Sequence, residues 1–184
     1  MPSLHSIASP FLFLLLFSFL LVGKLVAQQE IGLRTYTRLS NFDFIYKKKQ
    51  KSGKYIRYRA ARFNFGLNDL QQNSRSQVAL SLAIGKETRR TINEKLQWIT
   101  GVEPRLFFSY QSAAETSKFL LSPAIGYVLG LQYQLNRQFY LNVETIPALS
   151  ASFTFNGREL TRYGIYGEVD INNIALSVLY RFGG

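Results

Sequence analysis

The side chains that most often carry catalysis are nearly missing from this chain. Its one histidine is His5, and it has no cysteine. Ser–His and Cys–His chemistry therefore has no imidazole to draw on beyond the extreme N-terminus. Disulfides and cysteine-ligated metal are excluded outright. No pair of Asp or Glu residues has the spacing of a carboxylate acid–base site, and no motif calls for a cofactor. The expected class is not an enzyme.

A different set of charged residues stands out by its phase. Arg34, Asp43, Glu103, Arg105, Glu144 and Arg181 occur in segments where large apolar residues alternate with small or polar ones. If the large apolar residues face outward, these six point into an interior. A buried charge is costly unless it is paired and hydrogen-bonded. Mixed signs on one inner face therefore predict a salt-bridge network filling a lumen, with Glu103 and Arg105 close enough to share it. The same residues could instead line a narrow, ion-selective pore.

The elements that would position them follow a period of two. In 76–88, Val78, Leu80, Leu82 and Ile84 alternate with Ala79, Ser81, Ala83 and Gly85. In 118–134, Ile125, Tyr127, Leu129 and Leu131 alternate with Ala124, Gly126, Gly130 and Gln132, and 174–182 behaves likewise. Alternation of this kind marks β-strands with one greasy and one small or polar face. The second face is poor in Lys and Glu, which suits the interior of a small membrane barrel better than a water-facing surface. About eight strands are expected, at 29–37, 42–48, 54–67, 76–88, 95–110, 118–134, 138–155 and 171–182, and several are long enough to cross a bilayer. No window sustains a helical period.

Three prolines within these strands, Pro104, Pro123 and Pro147, each demand a bulge or a place at the rim. Strand three changes phase between Tyr58 and Phe63, which predicts a bulge near Ala60–Ala61. Connections at 49–53, 89–94 and 135–137 read as tight turns. Those at 68–75, 111–117 and 156–170 read as longer loops. This asymmetry fits short periplasmic turns opposite longer outside loops.

Composition agrees with a folded exported barrel. Hydrophobic residues make up 47%, charged residues 18% and aromatic residues 15%, which excludes a disordered chain. Residues 11–22 (FLFLLLFSFLLV) form an apolar run spanning about 18 Å as a helix, too short for a bilayer. The run reads as the core of a signal peptide over 1–27, cleaved after Ala27, leaving one barrel domain at 28–184.

Aromatic residues fall at strand ends. Tyr46, Trp98, Tyr133, Phe139, Tyr180 and Phe182 lie towards the short turns, and Tyr110, Phe119, Phe153 and Phe155 lie at the opposite ends. They form candidate interfacial girdles, where a ring with a polar tip is favoured. The net charge of +11 is concentrated near short turns, in Lys47, Lys48, Lys49, Lys51 and Lys54, with Arg89, Arg90, Lys95 and Arg137. Export and the absence of any motif argue against nucleic acid, and cations at a rim suit anionic lipid headgroups.

The final segment, ALSVLYRFGG, together with GVEPRLFFSY, SPAIGYVLG and VETIPALS, resembles the small outer-membrane β-barrel proteins of Gram-negative bacteria, the OmpA/OmpX-like or porin-family group. The end departs from that pattern at Ala175, at Ser177 and in the two glycines after Phe182. The resemblance spans the chain from about residue 29 and carries no functional residues across. It implies an all-β, closed, antiparallel up-and-down transmembrane barrel in the bacterial outer membrane, with outer-membrane lipid and the barrel-insertion machinery as partners.

The expectation is a non-enzymatic barrel, structural or acting through surface loops, with a filled lumen. A narrow pore for small solutes is the alternative. A soluble periplasmic barrel that binds a hydrophobic ligand is the third reading.

Overall fold

The computed structural model describes residues 28–36, 42–68, 75–113, 116–157, 159–168 and 174–183. The proposed signal peptide and the strand positions 37 and 171–173 lie outside them. Ten strands are present: β1 (Gln29–Tyr36), β2 (Phe42–Lys49), β3 (Tyr55–Asn68), β4 (Arg75–Thr91), β5 (Leu96–Ala113), β6 (Thr116–Gln134), β7 (Phe139–Thr145), β8 (Ala148–Asn156), β9 (Glu159–Glu168) and β10 (Ala175–Phe182). Each pairs antiparallel with its neighbours, β5 pairs β6, and β1 pairs β10, so the sheet closes on itself.

The ten strands make eight staves. β7 and β8 pair with β6 in one unbroken register, Leu129 with Thr145 and Gly126 with Ala148, so they are one stave interrupted at Ile146–Pro147. β9 and β10 then lie on the far side of that stave, against β8 and β7 respectively. The result is a closed, all-β, antiparallel barrel.

The loops differ from the sequence expectation. The segments read as long loops at 111–117 and 156–170 are largely strand: β5 runs to Ala113, β6 starts at Thr116, and β9 occupies Glu159–Glu168. Gly157 takes the left-handed φ of 60° at the β8–β9 turn, a conformation that glycine tolerates without steric cost. The pairing energy of extended, β-branched and aromatic segments outweighs their polar composition. β4, β5 and β6 reach 17, 18 and 19 residues, whereas β1 and β2 have 8 each, so the wall is taller on one side.

A register shift between Ala61 and Asn64 in the β3–β4 pair accounts for the phase change in strand three. The prolines find another solution. β5–β6 keeps one register through Pro104 and Pro123 without a bulge. Instead the β4–β5 ladder skips from Ala83–Arg105 to Lys86–Val102, and the β6–β8 ladder skips from Leu121–Phe153 to Ala124–Ser150. Ser122 Oγ donates to the Ala151 carbonyl at 2.9 Å, supplying a proton where Pro123 has none. An alternating ladder asks each N–H for only one neighbour, so a proline costs one side of the strand and spares the other.

The two faces of the wall differ sharply. Leu33, Leu82, Ile84, Val102, Leu106, Ile125, Leu131, Val143, Leu176 and Val178 point outward and are exposed. Most inward positions hold charged, amide and small side chains, nearly all buried, with a few apolar residues among them. This is the reverse of a water-soluble barrel, and the outer apolar surface is far more continuous than a soluble monomer shows.

Candidate functional site: an enclosed ion network

Alternation along each strand sets the interior. On the inward rows large charged residues stand beside glycines, as in Arg57–Gly85–Glu103–Gly126 across β3 to β6. A Cβ on Gly85 would come within 3.0 Å of Arg57 Cγ, and one on Gly130 within 2.8 Å of Glu144 Cγ. The glycines are the space into which the long side chains fold.

Nearest the short turns, Glu30 binds two guanidiniums. Arg89 donates from Nη1 and Nη2 at 2.8 and 2.7 Å, and Arg181 from Nε and Nη2 at 2.9 and 2.6 Å. Arg89 also donates to Gln132 Oε1 at 2.7 Å and lies 3.6 Å over the Tyr55 ring. Arg181 lies 3.7 Å over the Tyr140 ring. Such faces hold a cation where water is scarce.

One layer further in, Glu87 pairs with Lys47 at 2.8 Å, with Arg57 at 3.2 Å and with Arg89 Nε at 2.7 Å. Glu144 pairs with Arg57 Nη2 at 2.8 Å, with Lys47 at 3.3 Å and with Arg34 at 3.6 Å, and accepts from Asn142 at 3.2 Å. The last layer joins Arg57 Nε to Glu103 at 2.8 Å, Arg59 to Glu103 at 2.7 Å and Arg59 to Asp43 at 2.9 Å. Arg57 is the hub. It touches Glu87, Glu103 and Glu144 and is fully enclosed.

Two small apolar clusters pack inside the wall. Ile45, Tyr140 and Leu179 form one, and Ile99, Val128 and Ile146 the other. Gly32 lies in register between Ile45 and Leu179, leaving room for both.

Of the six interior charges named from sequence, Arg34, Asp43, Glu103 and Glu144 are buried and Arg181 is nearly so. Within that set Arg34 and Glu144 meet at 3.6 Å, and Arg34 is the register partner of Asp43. Arg105 is half-buried, and Glu103 takes Arg57 and Arg59 as its partners. Six further members were not singled out: Glu30, Lys47, Arg57, Arg59, Glu87 and Arg89. The sequence places Lys47 and Arg89 among the cations near the short turns. Both are enclosed in the network, Lys47 completely. Their signal was phase: Lys47 shares parity with Asp43 and Ile45, and Arg89 with Glu87 and Gly85.

Several of the aromatic residues expected at strand ends meet another ring on the wall. Tyr46 stands 5.9 Å from Tyr58, Phe139 5.3 Å from Tyr180, Tyr180 6.3 Å from Phe182, and Phe119 6.0 Å from Phe155. Trp98, Tyr110 and Tyr133 are outward and exposed, and Phe153 is half-buried opposite Tyr163. Among the described residues no group of acidic or histidine side chains is arranged to hold a metal ion.

The fold and its interior define a class: a small, closed, eight-stave β-barrel with an ionic core and an apolar outer wall. An apolar band outside and a polar interior are the pattern of outer-membrane barrels. No protein-family model matches the sequence, and no curated protein matches it. Similar structures include a major outer membrane protein from Thermus thermophilus, with 10% identity over 86% of this chain and 100% of that one, at a TM-score of 0.49. Ail, the attachment invasion locus protein of Yersinia pestis, is 15% identical over 85% and 95% of the two chains, at 0.43. Neisserial surface protein A is 11% identical over 84% and 92%, at 0.41. These are likenesses of architecture, and no residue role is taken from them.

Proposed function

We propose that this chain is a non-enzymatic outer-membrane β-barrel whose lumen is closed by the ion network. It serves as a structural element of the membrane and presents its tall strand ends on the outer side. The observation that carries this reading is Arg57, wholly enclosed and tied to three carboxylates on three other staves. An eight-stranded barrel has an interior just wide enough for side chains to fill, and here the filling is cross-linked. The apolar exterior and the aromatic ends support a bilayer position, and the termini and tight turns support a periplasmic placement for that end.

Planar-bilayer recording of the refolded barrel is the test. Wild type should hold conductance at background, and Glu144→Ala should open a measurable leak. A stable, ion-selective wild-type channel whose selectivity shifts in Glu103→Gln would instead make the same residues a filter.

A further inference from the structure

The outer wall carries a feature that the ion network does not explain. Three successive outward rows cross β2 to β5, two residues apart along each strand. The upper row runs Phe44–Ala60–Leu82–Leu106 and the next Tyr46–Tyr58–Ile84–Pro104. Together they line a groove of about 630 Å³. Ala60 is small between larger neighbours and opens the space, and Pro104 and Pro123 line it on the β5–β6 side. The third row, one step towards the short turns, is Lys48–Ile56–Lys86.

Lys48 and Lys86 face outward on strands two apart, so their stems are separated by about 10 Å with Ile56 between them. Neither makes an ion pair among the described residues, in contrast to Lys47 one position away. Tyr46 donates its hydroxyl to Gln29 Oε1 at 2.9 Å, and Gln29 is the register partner of Lys48. The polar tips on this wall therefore converge at the cation row. Lysine stems lie along apolar surface while their heads reach for the headgroup level.

We propose that this part of the wall binds one anionic phospholipid of the leaflet facing the short turns. Its phosphate sits between Lys48 and Lys86, and an acyl chain lies in the groove over Ala60. Two outward cations at the open end of an apolar channel favour a headgroup of net negative charge over an uncharged or zwitterionic one, whose own cation offsets the attraction. The inference rests on the membrane reading above. That reading fails separately, if the protein stays soluble without detergent.

The test is native mass spectrometry of the refolded full barrel released from mixed micelles. The probes are phosphatidylglycerol, phosphatidylethanolamine and phosphatidylcholine with identical acyl chains. Phosphatidylglycerol should be retained preferentially. Lys48→Gln with Lys86→Gln should lower its retention about twenty-five-fold, at about five-fold for each cation. Lys51→Gln with Lys95→Gln, on the turns, should change it little. Ala60→Leu, which fills the groove and leaves both lysines, should also weaken retention. Heat-modifiable migration in gels checks that each variant is assembled. Equal retention of the three lipids, or equal losses from the wall pair and the turn pair, would overturn the site. Unchanged retention in Ala60→Leu would overturn the seat for the acyl chain. Preference for lipid A phosphates over phosphatidylglycerol would overturn the leaflet assignment.

Discussion

Arg57 and Glu144 lie 87 residues apart in the chain, and their side chains meet at 2.8 Å, both shut off from solvent. No strand joins β3 directly to β7, so this contact crosses the barrel rather than running along its wall. It ties together two staves that share no backbone hydrogen bond.

Removing the hub should therefore cost more than removing a single bond. Arg57→Met leaves Glu87, Glu103 and Glu144 short of a cation, and should destabilise the barrel by about 3–5 kcal/mol. Combining Arg57→Met with Glu144→Gln should cost less than the sum, with a coupling of about 0.5–3 kcal/mol. Urea unfolding in lipid or detergent measures both. Additive losses would mean that water already screens the pair.

The assignment of faces is tested by arginine on each. Leu82→Arg and Ile125→Arg place a charge on the exposed apolar wall, at a cost of about 2–4 kcal/mol near a bilayer midplane. Ser81→Arg enters the crowded lumen and should act through steric disruption instead. Assembly yield, read by heat-modifiable migration in gels, separates the cases. Full assembly of both wall variants would show that the apolar face does not meet lipid.

Ser122 should matter only because of the proline beside it. Ser122→Ala leaves the Ala151 carbonyl without its donor, worth about 1–3 kcal/mol in a water-poor wall. In a Pro123→Ala background the restored N–H can supply that bond, so the same change should cost much less. Thermal or urea midpoints of the four proteins decide it. Equal losses in both backgrounds would remove the compensation argument.

Gly32 stands at the seam where β1 meets β10. A Cβ there would collide with the Val178 carbonyl and come within 2.7 Å of the Leu179 side chain. Gly32→Val should cost about 1–3 kcal/mol from overpacking and slow closure of the barrel. Refolding followed by gel shift measures it. Wild-type refolding kinetics in Gly32→Val would show that the seam can relax.

Much of the architecture is legible in the chain alone, because the period of a strand is local. Alternation in 76–88 and 118–134 depends only on neighbours along the sequence, and it places Leu82 and Ala83 on opposite faces before any partner strand is known. The phase slip between Tyr58 and Phe63 is legible for the same reason, and it appears as the register shift after Ala61. What alternation cannot supply is which inward residues meet. Lys47 looks like one of a run of turn lysines until closure brings Glu87 and Glu144 to its ammonium. Arg57 becomes the hub only when β3, β4, β5 and β7 face one another across the lumen. The extent of the wall was also a tertiary matter, since Glu159–Glu168 is polar enough for a loop until β8 offers it a ladder. Local steric period writes the two faces into the sequence, while the pairing of charges belongs to closure, which sets side by side residues that the chain keeps far apart.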